Sequence, residues 1–185
     1  MTCMITSNIE HQPTSSLEPE LQLASWFKHF GISRTNAQRL LYLANGLHLL
    51  GFGTLCFACP IHITKFGPRI PFVWNHWFNI EHICPRTATS DFHQTLARFI
   101  TTAFEHWSRQ QLHELIQSHM QWFRCGSIIT ESLQEDVLET IFTQHYHGPT
   151  LAPFIEVLDK KACIQFQEMC KRYPDTFSKT WIPMF

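Results

Sequence analysis

The chain has 185 residues, is 44% apolar and 16% charged, and carries 16 phenylalanines and 6 tryptophans, a composition that excludes a disordered chain. Fourteen Lys and Arg against 15 Asp and Glu leave a formal charge of -1. That balance excludes the broadly basic face with which nucleic-acid binders neutralise phosphates. The first residues are polar, with Glu10, Glu18 and Glu20, and lack an apolar leader, so the expected location is the cytoplasm. In that compartment the seven cysteines, at positions 3, 56, 59, 84, 125, 163 and 170, read as reduced thiols rather than a disulfide scaffold. Twelve histidines add little charge at neutral pH and make the surface distinctly basic near pH ~6.

In chain order, residues 1–16 form a flexible N-terminal lead. A first helix is predicted from Leu17 to Phe30, with Ser16 as N-cap, Pro19 and Glu20 in the first turn, and Leu23, Trp26, Phe27 and Phe30 on one face. Gly31 ends it. A second helix starts after the N-cap candidate Ser33 and places Ala37, Leu40, Leu41, Ala44, Leu47 and Leu50 on a broad apolar face, with Gly51 and Gly53 as terminators. Leu40 to Ile61 contains no Asp, Glu, Lys or Arg and is long enough to span a bilayer. Asn45, His48, Gly46, Gly51, Gly53 and Pro60 break the run, so it is expected to be a buried central helix followed by a strand, and no membrane span.

Leu55 to Lys65 is predicted to be a strand or hairpin, and Gly67-Pro68-Arg69-Ile70-Pro71 a stiff turn, because proline fixes its own φ and restricts its predecessor. Phe72 to Phe78 is predicted as a short helix packing Val73, Trp74, Trp77 and Phe78 inward, and Glu81 to Ser90 as loop. Ser90 or Asp91 caps the clearest helix, with Phe92, Leu96, Phe99, Ala103, Phe104 and Trp107 at helical spacing. Ser108 caps the next, which carries Leu112, Leu115 and Ile116 towards His119. Further helices are expected from Ser132 to Phe142 and from about Leu151 to Tyr173, separated by a turn at Gly148-Pro149, with the apolar tail 181–185 docked on the body. The predicted fold is mostly α, a compact helical bundle around a central helix with a short β-hairpin. Its domain spans 17–144, and 145–185 is a C-terminal helical extension packed on it.

No phosphate loop, dinucleotide fingerprint, nucleophile elbow or metalloprotease helix occurs. The set with zinc-ligand chemistry is Cys56-x-x-Cys59-x-x-His62 with Cys84 and His82. On a strand, however, Cys56 and Cys59 point to opposite faces unless Pro60 turns the chain, and their apolar neighbours suit buried thiols. The expectation is no metal and no cofactor. His145 and His147 read as surface histidines. Ser108 or Cys125, His119 and Glu114 have the residue types of a triad, but spacing selects no such set, so an enzyme is not expected. Arg34 and Arg39 with Lys28 and His29 form a small basic area suited to an acidic partner protein. Arg69, on its stiffened loop, reads either as an interface anchor or as a folding brace bonded to carbonyls.

The run Gln38-Arg39-Leu40-Leu41-Tyr42-Leu43-Ala44-Asn45-Gly46-Leu47-His48 resembles the signature of the Panacea domain family, in which a Gln-Lys-Leu-Leu-Tyr-Tyr helix is followed by a Trp-His pair. Ile63 to Pro71 is similar to that family's Ala-Trp-x-Tyr-Gly-Pro-Val-x-Pro, and Leu112, Leu115, Ser118, His119 and Trp122 to its Leu-x-x-Leu-Thr-His and following tryptophan. Ile128 and Ile129, with the helix ending at Phe142, match its closing element. The likeness covers 33–142. Leu47 and Thr64 stand where the family has tryptophan, and Arg69 where it has an apolar residue.

The resemblance implies a non-enzymatic, antitoxin-like module that binds a protein partner, neutralising or presenting a toxin by direct contact. It implies that Gln38, Arg39, Leu41, Tyr42, His48, Gly67, Pro68, His119 and Trp122 are family positions, most of them holding the fold. Arg69, Trp74 and Trp77 are the expected partner contacts. A secreted effector or phage accessory protein on the same scaffold is the alternative, and a small hydrolase or zinc protein a third reading.

Overall fold

A computed structural model describes residues 17–52, 54–120, 123, 125–126, 128–129, 164–165, 168–169 and 171–172. Helix α1 (Pro19–His29) opens with proline in its first turn and carries Lys28 and His29 in its last, where cations suit the carbonyl end. Its N-cap is Glu18, without a side-chain cap bond. The predicted cap Ser16 lies outside the described residues. Gly31, at φ +77°, reverses the chain, and α2 (Arg34–Phe52) follows, its first turn capped by Ser33 Oγ accepting from the Asn36 N–H at 3.4 Å. The predicted stop at Gly51 is corrected, because α2 runs through that glycine to Phe52.

Strands β1 (Ile61–Thr64) and β2 (Gly67–Arg69) form an antiparallel hairpin pairing Thr64 with Gly67 and His62 with Arg69. β3 (Ile128–Ile129) adds antiparallel to the other edge of β1, giving the order β2-β1-β3. Leu55 to Pro60, expected to begin the strand, is irregular instead. It follows the side chain of Asn45 on α2, which accepts the N–H groups of Cys56 and Phe57 at 2.8 and 3.2 Å and donates to Phe57 O at 3.1 Å.

Helix α3 (Pro71–His76) passes into a 3₁₀ turn (Trp77–Asn79) and then α4 (Ile80–Ile83). The predicted loop from Glu81 to Ser90 therefore holds the end of α4 and a second 3₁₀ turn at Arg86–Ala88. In α5 (Asp91–Ala103) the cap is Ser90, whose Oγ accepts from the His93 N–H at 3.2 Å. Helix α6 (Arg109–Met120) opens on a reciprocal box: Ser108 Oγ accepts from the Gln111 N–H, and Gln111 Oε1 accepts from the Ser108 N–H at 2.8 Å.

The molecule is mostly helical with a small antiparallel sheet. Two helices share its centre. α2 is buried from Ala37 to Leu49, and α1 is buried around its whole circumference from Glu20 to Phe27, not only on the predicted face. Phe27, Leu23, Leu41, Leu43, Leu47 and Leu96 are fully enclosed, and each such side chain contributes about 1.5–3 kcal/mol of transfer free energy.

The polar residues of α1 are tied outward. Gln22 Oε1 accepts the Ser90 N–H at 2.7 Å, Ser25 Oγ donates to Cys84 O at 2.8 Å, and Trp26 Nε1 donates to Thr89 Oγ1 at 2.8 Å. These bonds fix α1 to the segment leading into α5. No helix among the described residues is long and apolar enough to cross a membrane.

Of the C-terminal region, Ile164, Gln165, Glu168, Met169, Lys171 and Arg172 are helical. Met169 joins the core, and Arg172 pairs with Asp91 at 3.0 Å. The lead 1–16, the helix predicted over 132–142, His145, His147, the turn at Gly148-Pro149 and the tail 181–185 lie outside the described residues.

Candidate functional site

The motif residues singled out in the sequence between Gln38 and His119 sit at joints of the fold. Gln38, 2% exposed on α2, accepts the Ile70 N–H at 2.6 Å through Oε1 and so pins the end of the hairpin to the helix. Gly67 adopts φ +110°, and a Cβ built there would approach Ile116 Cγ2 on α6 at 3.1 Å, so backbone conformation and space both call for glycine. Leu41 and Tyr42 are fully buried and Pro68 is buried. Tyr42 and His119 bring their rings to 5.9 Å between α2 and α6. His48 donates from Nδ1 to Thr54 O at 2.7 Å, and burial lowers its proton affinity more than that carbonyl raises it. Trp122 lies outside the described residues.

The expected partner contacts divide. Trp77 is 5% exposed and belongs to the core, which corrects its assignment as a contact. Phe78, predicted to pack inward, is 78% exposed. The cause is local: α3 ends at His76, and the 3₁₀ turn that follows advances about 120° per residue instead of 100°.

Trp74 is half-buried. The Arg34 guanidinium lies 3.7 Å from the Trp74 ring centroid and the Arg69 guanidinium 4.2 Å from it, and Arg34 also stands 5.2 Å from Phe78. The sequence singled out both arginines but not their meeting on one indole. Arg34 is the brace, donating from Nε and Nη2 to Trp74 O at 3.0 and 2.5 Å. Arg69, half-buried, makes no hydrogen bond to a carbonyl among the described residues. Around this stack Phe66 and Phe72 are also exposed.

Behind the stack opens a cleft of about 160 Å³ between the start of α2, the hairpin and the start of α6, lined among others by Gln38, Arg39, Phe66, Arg69, Trp74 and Arg109. No Asp or Glu lines it. Arg39 is 5% exposed, donating from Nη1 to Asn36 Oδ1 at 3.1 Å and from Nη2 to His113 Nδ1 at 3.0 Å. Guanidinium only donates, so His113 accepts there and carries its proton on Nε2. Burial first, and then the charge of Arg109, lowers the proton affinity of Arg39; burial and then Arg69 do the same to Arg34.

The basic area read from the sequence is therefore split. Lys28 turns away to Glu81 at 3.5 Å and to Phe78 O, and His29 accepts from Arg86. Arg109, never singled out, joins Arg39 instead. No sequence signal marks it, because its position at the start of α6 depends on how that helix packs.

Among the described residues the thiols of Cys56, Cys59 and Cys84 join no group of three or more candidate metal ligands. Cys56 is buried, its thiol pushed up to about 12 by burial and then by Glu20. Cys59 is raised further by the same two causes and the hydrogen bond it makes with Glu20, and Cys84 is raised by burial. His62 is half-buried on β1, and among the described residues no group of three or more His, Cys, Asp or Glu converges on one point.

Of the triad candidates, Ser108 is a helix cap, Glu114 accepts from Gln110 one turn earlier, and Cys125 is exposed. No family model, curated protein or solved structure matches the chain.

Proposed function

We propose that this chain is a non-enzymatic protein-binding module, antitoxin-like, which neutralises or presents a partner toxin by direct contact in the cytoplasm and needs no cofactor. The observation that carries the reading is the surface ladder Phe78–Arg34–Trp74–Arg69, edged by exposed Phe66 and Phe72. Tryptophan and arginine are the residue types that dominate interface energetics, and a stack already formed loses little side-chain entropy on docking. Exposed aromatic carbon beside unneutralised guanidinium fits a partner face that is part apolar and part acidic.

The Panacea-like motif residues support the scaffold half of the reading, because they join α2, the hairpin and α6 and so hold the ladder in place. The test is to express the product of the neighbouring gene alone, with this chain, and with its Trp74→Ala variant. Growth arrest relieved by the wild-type chain, with co-purification of the two proteins, is the expected result, and Trp74→Ala should weaken capture at least tenfold. A neighbouring product that is harmless alone removes the antitoxin reading. Undiminished capture by Trp74→Ala removes this face as the contact.

A further inference from the structure

We propose that the arginine cleft is a carboxylate-binding subsite that receives the side chain of an Asp or Glu presented by a protein partner. The inference rests on the protein-binding reading and names what the partner brings.

Its first support is a count of donors. Gln38 Oε1 is committed to the Ile70 N–H, which fixes the amide orientation and turns Nε2 away from that bond. That Nε2 and Arg39 Nε are buried with no partner, on side chains only 2% and 5% exposed. Both belong to residues lining the cleft. A buried orphan donor leaves its desolvation uncompensated, and two on adjacent residues beside one cavity have no acceptor among the described residues.

The second support is charge. Arg39, Arg69 and Arg109 line the cleft, Arg34 lies across the Trp74 ring, and none of the four pairs with a carboxylate among the described residues. The ion pairs of this body are spent elsewhere, Lys28 on Glu81 and Arg172 on Asp91. Burial first, and the neighbouring guanidinium groups of Arg69 and Arg109 second, lower the proton affinities of Arg34 and Arg39, and an acceptor-only anion offsets both effects.

Size and donor number then select the ligand. At about 160 Å³ the cleft falls below the roughly 300 Å³ at which small-molecule sites begin, so it accepts one functional group rather than a cofactor. The guanidinium groups of Arg39, Arg69 and Arg109 around one small cavity suit the two acceptor oxygens of a single carboxylate, and Phe66 and Trp74, which line the same cavity, offer carbon to its methylene stem.

The experiment titrates the ¹⁵N-labelled full chain, at constant ionic strength, with N-acetyl-glutamate N-methylamide, with its glutamine counterpart and with inorganic phosphate. The arginine Nε–Hε resonances are followed. The expected result is a saturable shift of the Arg39 signal with the glutamate probe, in the millimolar range appropriate to a single group. The glutamine probe should give no saturation and phosphate should bind more weakly. Arg109→Gln, an exposed substitution that leaves the core intact, should weaken the glutamate probe at least threefold.

Equal responses to the glutamate and glutamine probes overturn the proposal, as do tighter binding of phosphate and an Arg109→Gln affinity equal to wild type. Capture of a partner by a chain that fails to bind the glutamate probe overturns this subsite and leaves the protein-binding reading standing. Probe binding by a chain that captures no protein partner overturns the protein source of the carboxylate.

Discussion

Gln38 Oε1 accepts the Ile70 N–H at 2.6 Å across thirty-two residues of sequence, and this one bond ties the middle of α2 to the end of the hairpin. Ile70 follows the hairpin and precedes α3, so the bond sets where Arg69 and Trp74 stand relative to Arg34 and Arg39 on α2.

Gln38→Leu removes the acceptor and leaves the buried Ile70 N–H without a partner. The expected loss of stability is about 1–3 kcal/mol, read as a lower urea midpoint with an unchanged m-value. Gln38→Glu keeps an oxygen in reach of Ile70 and should recover stability relative to Gln38→Leu. Equal midpoints for the two variants would show that the bond contributes nothing.

Gly67→Ala should cost more than Gly31→Ala. Both positions have positive φ, at +110° and +77°, but only a Cβ at Gly67 meets a neighbour, Ile116 Cγ2 at 3.1 Å. A strained φ alone costs about 1 kcal/mol, and overpacking adds about 1–3. Thermal unfolding of the two variants side by side checks the order.

Asn45→Ala should be among the most damaging polar substitutions in the chain. Asn45 is fully buried and satisfies two N–H groups and one carbonyl of the Cys56-Phe57 backbone. Orphaning three backbone groups at about 1–3 kcal/mol each reaches the whole stability of a typical domain. Expression in inclusion bodies or loss of the cooperative unfolding transition is the expected outcome; a soluble variant within about 1 kcal/mol of wild type contradicts it.

Acidification should destabilise the fold through His93. Burial first, and then the charge of His48, depresses its pKa from 6.5 to about 4. Between those values the unfolded chain binds a proton that the folded chain does not. Stability is therefore complete above pH ~6.5 and falls as pH drops towards ~4. Because His93 is only partly buried, the loss between pH 7.5 and 5 is on the order of 1 kcal/mol. Glu20 opposes this: burial raises its pKa, so its protonated form favours the fold as pH falls towards the carboxyl range. Urea melts of wild type and His93→Gln at the two pH values should show a shallower slope in the variant.

How far the residues speak for themselves follows the range of the forces involved. Helices α5 and α6 were legible because cap and periodicity lie within a few neighbouring residues: Ser90 and Ser108 bond to amides three positions on. A short hairpin was legible but its place was not: Gly67-Pro68-Arg69, read as a stiff turn, is strand β2, and the chain reverses at Lys65-Phe66. The exposure of Phe78 was not legible, because a change from α to 3₁₀ geometry after His76 rotates every following side chain and is set by packing against the body. The loop from Leu55 to Pro60 looked like strand because nothing in its own residues reveals that Asn45 supplies its hydrogen bonds.

From the chain of amino acids alone came the helical class, the central place of α2 and the presence of a short hairpin, with Arg34, Arg39, Arg69 and Trp74 singled out only as separate residues. Each depends on local caps, turns and hydrophobic period, which neighbouring residues carry between them. Only the tertiary structure decided that Arg34 and Arg69 share one indole and that Arg39 and Arg109 line one cleft. Those pairings join residues 35 to 70 positions apart, and their geometry is set by the core that packs α2 against the hairpin and α6.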